Sequence, residues 1–315
     1  MKFRHALAAG AAALCLSVSA HAAEFINVLT GGTSGVYYPL GVALSQIYGK
    51  ALPNAKTSVQ ATKASAENLN LLQAGRGEIA FTLGDALNEA WKGNDEAGFK
   101  TPLKKLRTVA AIYPNHIQIV AAADSGIKTL ADLKGKRIAV GAPKSGTELN
   151  ARDIFRGAGI SYKDFAKVEY LPFGESVELM KNRQLDATLI SAGLGVAAVR
   201  DLATAVPIVI IPIPPEVVAK IGEAAYQVGT IPADTYKGQA AAVPTVIVQN
   251  FLVTHEGVSS DSVYAMTRSM FENLDQVTAA HAAAKAIDRT KAATGTSVPL
   301  HPGAEKYYRE VGVIK

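Results

Sequence analysis

At residues 25–40 the sequence reads FINVLTGGTSGVYYPL, in which a short strand-like run leads through a glycine-rich loop into a helical pattern. The same order of strand, glycine-containing loop and helix recurs at residues 136–150, which read KRIAVGAPKSGTELN. Glycines bring backbone N–H groups close to a ligand, and a helix that begins there adds unpaired N–H donors and the positive end of its dipole. Two such loops in separate halves of the chain predict two lobes that hold one small anion between them.

Each loop supplies candidate ligand contacts. They are Thr33, Ser34 and Gly35 in the first loop, and Ser145, Gly146 and Thr147 in the second. An ordinary turn with a hydroxyl at the helix N-cap is the structural alternative for both loops. The second loop lacks the Gly-Lys-Ser/Thr order of a P-loop, so the sequence does not predict nucleotide binding.

The first 23 residues are typical of a secretory leader. Lys2 and Arg4 provide a charged start, residues 6–18 provide a short apolar run, and small residues follow. We therefore expect cleavage after Ala22 or Ala23 and a mature chain in the periplasm. An uncleaved membrane anchor is the alternative, but the apolar run is shorter than the ~20 residues that a spanning helix needs.

Composition and net charge disfavour several classes of protein and site. Cys15 is the only cysteine and lies in the leader, so the mature chain is expected to contain no disulfide, no thiolate nucleophile and no cysteine-based metal site. A net charge of +5 without a run of Lys or Arg does not favour a nucleic-acid partner. A hydrophobic content of 49% with no later long apolar stretch indicates a soluble globular protein, and 315 residues suggest two domains.

Strand-like runs alternate with helical patterns along the rest of the chain, which is the signature of an α/β fold with parallel strands. Short strands are predicted at residues 25–29, 57–60, 79–83, 137–140, 168–173, 187–191 and 208–213. Helices are predicted near residues 40–47, 69–72, 149–155, 177–180, 195–202 and 263–274. We see no internal repeat and no low-complexity linker.

Two longer strand-like segments, 109–123 and 243–254, divide this pattern. The interpretation is that the chain leaves one lobe, builds a second, and returns. The first lobe is predicted to comprise residues 24–116 plus 245–315, and the second lobe to comprise the inserted residues 117–244. Two crossing strands of this kind support hinge closure around a ligand between the lobes.

Further candidate site residues lie outside the two loops. Thr62 and Ser65 follow the second strand, at the edge where ligands of open α/β sheets bind. Asp85 follows the third strand and is either a helix cap or the partner of a ligand ammonium group. Tyr38 either packs on the first lobe or closes over the ligand with its hydroxyl, and Tyr113 either lines the cleft or packs at the hinge.

A family resemblance rests on motifs that span almost the whole mature chain. These are TGGTSG at 30–35, YYPL at 37–40, DSGIKTLADLKGK at 124–136, GAP at 141–143, SGT at 145–147, VPTV at 243–246 and PLHPGAE at 299–305. In order and spacing they resemble the TAXI family, the solute-binding proteins of one branch of the TRAP transporters. The resemblance implies a two-lobed type II periplasmic binding protein fold, in which each lobe is a mixed sheet flanked by helices. It also implies delivery of a solute to a TRAP-type membrane permease, with glutamate, glutamine or C4–C5 dicarboxylates like 2-oxoglutarate as substrates.

The chain departs from the family pattern at two places. Where family members often read Gln-Ser-Thr-Gly-Gly-Ser, residues 60–65 read QATKAS, so Lys63 stands at the predicted cleft edge. It either adds a charge for a second carboxylate or is an ordinary solvated loop lysine. The second departure is SAGLG at 191–195, which replaces a Gly-Gly-Pro-like turn and makes Ser191 a further candidate contact.

The expected function is that of an exported, monomeric solute receptor for a small dicarboxylate or acidic amino acid, with no cofactor. The chain has no His-Glu-x-x-His or His-x-x-x-His spacing and no Gly-x-Ser-x-Gly elbow, so no enzyme class is indicated. Two alternatives stay open. One is a receptor of the same fold that serves an ABC transporter, and the other is a periplasmic enzyme built on this scaffold.

Overall fold

The structure is a computed structural model that describes residues 24–296 and 298–315. The predicted leader, residues 1–23, lies outside the described residues. Among the described helices, none combines the length and apolar character that crossing a membrane requires.

Strands and helices alternate along the chain as the sequence predicts. The described strands are β1 (Glu24–Leu29), β2 (Ala55–Gln60), β3 (Ile79–Leu83), β4 (Leu106–Ala122), β5 (Arg137–Ala139), β6 (Lys167–Glu169), β7 (Ala187–Ala192), β8 (Ile208–Ile211), β9 (Tyr226–Ile231) and β10 (Val243–His255). The described helices are α1 (Tyr37–Ala51), α2 (Ser65–Gln73), α3 (Gly84–Lys92), α4 (Gly146–Gly157), α5 (Phe173–Lys181), α6 (Ala197–Ala205), α7 (Pro215–Ile221), α8 (Ser260–Glu272), α9 (Leu274–Ala280) and α10 (Pro302–Glu310).

Parallel strands form both ends of the sheet and antiparallel strands join them. The strand order is β2-β1-β3-β10-β4-β7-β5-β6, and β8 and β9 pair with β4 and β10 respectively. β1 is parallel to β2 and β3, and β5 is parallel to β6 and β7, whereas β10 and β4 run antiparallel to their neighbours. The molecule therefore has the mixed α/β, two-lobed fold of periplasmic binding proteins, which confirms the predicted fold class.

β4 and β10 are the two crossing strands. β4 pairs with β10 over Leu106–His116 and then with β7 and β8, while β10 pairs with β9 before it reaches β3 and β4. His116 is the residue at which β4 passes from β10 to β7. The boundaries of the lobes at residues 116–117 and 244–245 remain predictions.

Helices cover both faces of the sheet, so alternate residues of one strand enter different apolar clusters. In β3, Ile79 and Phe81 pack in the cluster that contains residues of α1 and α8, whereas Ala80 between them packs with residues of α2 and α3. Every residue of β3 is buried. A strand buried on both faces reads as a continuous apolar run, which is why β3 was predictable from sequence.

Four described elements were not predicted. These are β9, α7, α9 and α10. β9 is an edge strand with exposed residues at Gln227, Val228 and Thr230, and it contains Gly229, so it lacks a buried apolar run. A Cβ at Gly229 would lie 2.3 Å from a methyl carbon of Ile247, and this close approach explains the glycine.

Candidate functional site

A cavity of about 120 Å³ lies between the two glycine-containing loops. Most of the predicted site residues line it, namely Gly35, Thr62, Lys63, Ser65, Tyr113, Ser145, Gly146, Thr147 and Ser191. They come from both predicted lobes, as expected for a site at the interface. Their role as ligand contacts remains a prediction.

Four helices begin at this cavity. The N-cap residues of α1, α2, α4 and α5 all line it, and they are Val36, Ala64, Ser145 and Pro172. The first N–H groups of a helix have no intrahelical partner, and the N-terminus carries the positive end of the dipole. The glycine-rich loops indicated the starts of α1 and α4, whereas the convergence of α2 and α5 on the same point depends on tertiary structure.

The start of α4 combines an ordinary helix cap with free donors. The Ser145 hydroxyl accepts a hydrogen bond from the N–H of Glu148 at 3.1 Å, so this side chain has the structural role that was the alternative for the loop. The Gly146 and Thr147 N–H groups precede that bond and lack an intrahelical acceptor. Within the described residues the Thr147 hydroxyl has no hydrogen-bond partner, although the residue is buried and lines the cavity.

The hydroxyls at the start of α2 are already engaged within the protein. The Thr62 hydroxyl accepts from the Ala64 N–H at 2.9 Å and lies 2.6 Å from Oδ1 of Asn68, and Ser65 Oγ accepts from the Leu83 N–H at 3.1 Å. These side chains line the cavity, and their hydrogen bonds also fix the conformation of the loop between β2 and α2.

A buried amide network supports the floor of the cavity. The Asn250 side chain donates to the carbonyl of Tyr113 and to Oδ1 of Asn115, both at 2.7 Å, and accepts from the hydroxyl of Tyr37. Asn115 in turn donates to the carbonyl of Ser191 at 2.8 Å. Neither asparagine was predicted from sequence, where the available signal was an amide inside a long strand.

Tyr113 offers a second unpaired hydroxyl. It is fully buried and lines the cavity, and its hydroxyl has no partner within the described residues. Burial, together with the neighbouring Tyr37, raises the pKa of Tyr113 well above its ordinary value. The phenol therefore stays protonated, and its hydroxyl is a buried donor without a partner among the described residues.

The electrostatic character of the cavity favours an anion. Lys63 is the charged side chain in the described lining, and no carboxylate is part of that lining. Among the described residues, no group of three or more His, Cys, Asp or Glu side chains is arranged to hold a metal ion. Backbone donors, hydroxyls and one ammonium group thus supply the polar part of a lining that is otherwise mostly apolar.

Thr33, Ser34 and Tyr38 lie outside the lining of this cavity, and their role as ligand contacts stays a prediction. Thr33 and Ser34 face a separate surface groove against α5, and the Ser34 carbonyl accepts from the N–H of Ala198 at 3.3 Å. Tyr37 takes the position that was predicted for Tyr38, because adjacent helical residues point in different directions. The Tyr37 ring stacks on Phe81 with 5.0 Å between ring centroids.

Asp85 also lies outside the cavity lining, and its side chain does not cap helix α3. It is buried in the first turn of α3, where its Oδ2 accepts from Nδ2 of Asn150 at 2.7 Å and from the hydroxyl of Tyr226 at 2.9 Å. The side chain points toward α4 and β9 instead of the ligand cavity. Its hydrogen bonds therefore join the first lobe to the second.

Asp85 makes the stability of the fold depend on pH. Burial raises the pKa of its carboxyl from 3.8 to about 7. The folded state therefore holds a proton that the unfolded chain releases, so this contribution is complete below pH 4 and is lost as the pH rises toward 7. We expect Asp85→Asn to flatten the free energy of unfolding across this window, where the loss is at most about 1.4 kcal/mol per pH unit.

Urea unfolding at a series of pH values measures this effect. Asp95→Asn is the control, because Asp95 is exposed and its side chain makes no hydrogen bond within the described residues. An unchanged pH profile in Asp85→Asn would contradict the assignment of the buried proton to this carboxyl.

Several contacts hold the lobes closed over the cavity. Besides the Asp85 contacts and the Ser34–Ala198 bond, the Glu67 N–H donates to the Lys144 carbonyl at 3.2 Å. Nη1 of Arg152 donates to the carbonyl of Glu96 at 2.7 Å. The Glu67–Lys144 bond places the start of α2 directly against the loop before α4.

The strand order and the interlobe cavity are those of the periplasmic binding protein fold class. Within that class, the chain belongs to the NMT1-like family, whose model matches residues 28–312. This family assignment is broader than the TAXI resemblance.

Solved structures with the same fold are distant in sequence. A putative L-cystine ABC transporter from Listeria monocytogenes is 15% identical, with a TM-score of 0.51 over 84% of this chain and 98% of that chain. A protein from Bordetella bronchiseptica RB50 is 13% identical, with a TM-score of 0.51 over 91% and 98%. The alkanesulfonate-binding protein SsuA from Xanthomonas axonopodis pv. citri, bound to MOPS, is 16% identical, with a TM-score of 0.49 over 82% and 74%. At such identities the likeness concerns the fold alone.

Proposed function

We propose that this chain is a periplasmic receptor that binds a small dicarboxylate in the cavity and delivers it to a membrane permease. The observation that carries the proposal is the convergence of four helix N-termini on a cavity whose described lining contains no carboxylate. Helix N-termini bind carboxylates through free N–H groups and the dipole. Lys63 and the hydroxyl of Thr147 supply further donors.

Within the candidate substrates, the lining favours a dicarboxylate or oxo acid over an acidic amino acid. A buried ammonium group needs an acceptor or a carboxylate partner. The nearest predicted partner, Asp85, is already bonded to Asn150 and Tyr226 outside the cavity. A volume of about 120 Å³ also favours a short ligand, because an apolar cavity of roughly 150 Å³ accommodates benzene.

The membrane partner is proposed to be a TRAP-type permease, on the strength of the TAXI-like motifs. An ABC transporter is the alternative, since the Listeria monocytogenes protein of this fold is described as part of one. Export through cleavage after Ala22 or Ala23 belongs to the same proposal.

A thermal-shift screen tests the receptor function. A ligand that binds only the folded state stabilises it by about 2.7 kcal/mol at a hundred times its Kd. We expect C3–C6 dicarboxylates and oxo acids to raise the Tm, and glutamate to do so less. NMR of the bound acid over time separates a receptor from an enzyme, because a receptor leaves the acid unchanged.

Thr147→Val tests the unpaired hydroxyl at the start of α4. If Thr147 donates to a ligand carboxylate, its loss costs about 1.5–3 kcal/mol. Because each 1.4 kcal/mol is a factor of ten, we expect the Kd of the best acid to rise roughly 10- to 100-fold. Calorimetry measures the change. Thr33→Val is the matched control, because Thr33 faces the separate groove. Equal effects of the two substitutions would contradict a specific contact by Thr147.

A further inference from the structure

Ala64 has an unusual backbone conformation at the wall of the cavity. Its φ is 69° and its ψ is −144°. This is close to a region that glycine occupies almost exclusively, because a Cβ atom crowds the backbone there. Ala64 is nevertheless an alanine, and it belongs to the lining of the cavity.

The surrounding hydrogen bonds fix this conformation. The Ala64 N–H donates to the Thr62 hydroxyl at 2.9 Å, and the Ala64 carbonyl accepts from the Asn68 N–H at 2.9 Å. The methyl group therefore cannot turn away by a local backbone change without breaking the start of α2.

Gly31 lies beside the Ala64 methyl group, and it has no side chain of its own. A Cβ built on Gly31 would lie 3.3 Å from the Ala64 Cβ, so a side chain at both positions would be in tight contact. Gly31, in the loop after β1, and Ala64, in the loop after β2, thus lie side by side in the lining of the cavity. Ala64 is the member of this pair that carries a methyl group.

We propose that the methyl group of Ala64 sets the upper limit on the length of the solute that the cavity accepts. The inference rests on the proposed function, because it assumes that the cavity binds a small acid. A strained residue persists where the surrounding structure determines it, and such residues cluster at ligand sites. Here the strain places one methyl group where a longer ligand would need space.

The expected size of the effect follows from the volume of one methylene group. A pocket discriminates between homologues that differ by one methylene by about 10- to 200-fold. Removing the Ala64 methyl group adds roughly the volume of one methylene group to a cavity of about 120 Å³. The first homologue that the wild-type protein rejects should therefore gain at least about 10-fold in affinity.

The experiment uses the saturated dicarboxylates malonate, succinate, glutarate and adipate as probes, with the wild-type protein and Ala64→Gly. Calorimetry gives the Kd for each acid. We expect the affinity of the wild-type protein to fall sharply above a certain chain length of the acid. In Ala64→Gly the same fall should occur one methylene group later in the series. Urea unfolding of the ligand-free proteins is expected to show that Ala64→Gly is the more stable, since the strain is relieved.

Two control variants make the result specific. Asp234→Gly relieves a positive φ of 59° at an exposed residue outside the cavity lining, so it should leave the length profile unchanged. Ala64→Ser keeps a Cβ and adds an oxygen, so it should keep the wild-type limit or shorten it.

The outcomes separate the inference from the function on which it rests. Binding of the acids with the same length limit in wild type and Ala64→Gly would overturn the inference and leave the receptor function standing. A shift that also occurs in Asp234→Gly would overturn it as well. Failure of every dicarboxylate to bind either protein would overturn the proposed function and the inference with it.

Discussion

Gly146→Ala is expected to weaken solute binding by about 100-fold or more while both lobes stay folded. A Cβ at this first residue of α4 would lie 2.5 Å from Oγ of Ser65 and 2.7 Å from Cδ1 of Leu83. Both contacts belong to the first lobe, so the clash lies across the interface. The lobes relieve it by staying apart, and an open cleft cannot surround the solute.

Calorimetry and small-angle scattering with the best acid from the screen measure this prediction together. The scattering curve of the variant should stay that of the open form when the acid is added. Gly32→Ala is the matched control, because Gly32 also lines the cavity but a Cβ there would meet no atom within 4 Å. A Gly146→Ala protein that binds as tightly as Gly32→Ala would show that the start of α4 does not close against Ser65.

Asn250→Leu is expected to lower the free energy of unfolding by about 3–5 kcal/mol. Leucine has a similar volume but cannot form hydrogen bonds, so the Tyr37 hydroxyl, Oδ1 of Asn115 and the Tyr113 carbonyl all lose a partner. Each buried polar group that is left without a hydrogen-bond partner lowers the free energy of unfolding by about 1–3 kcal/mol. The effect is large because one side chain serves three buried groups, one on α1 and two on β4.

Urea unfolding measures this loss. Asn54→Leu is the control, because Asn54 is exposed in the turn before β2 and such surface changes usually stay within about 0.5 kcal/mol. A loss in Asn250→Leu no larger than that of the control would mean that water satisfies the groups that Asn250 now bonds.

Local patterns account for the parts of the fold that the sequence predicted. β3 is buried on both faces and therefore appears as an uninterrupted apolar run. β4 and β10 were recognisable as crossing strands because their length is exceptional, at 17 and 13 residues. The glycine-rich loops were recognisable because a strand, a turn and a helix start follow one another within a few residues.

The unpredicted parts of the site depend on residues that are distant in sequence. Asn115 and Asn250 are 135 positions apart, so nothing local marks either as part of a network. The choice between Tyr37 and Tyr38 depends on the rotation of α1 against β3, which its own sequence does not determine. Asp85 stands at the predicted edge of the sheet, but its partners Asn150 and Tyr226 lie in the other lobe.

The position of β10 in the sheet has a consequence for the order in which the chain assembles during synthesis. β10 lies between β3 and β4, so β1, β2 and β3 cannot join the rest of the sheet until residues 243–255 have emerged. Residues 117–244 are contiguous, and the parallel pairs β5–β6 and β5–β7 form within them. We therefore expect the second lobe to fold first, and the edge of β3 to stay unpaired until β10 is available. The last step is the insertion of one strand between two others, and it couples the N-terminal segment to the C-terminal one.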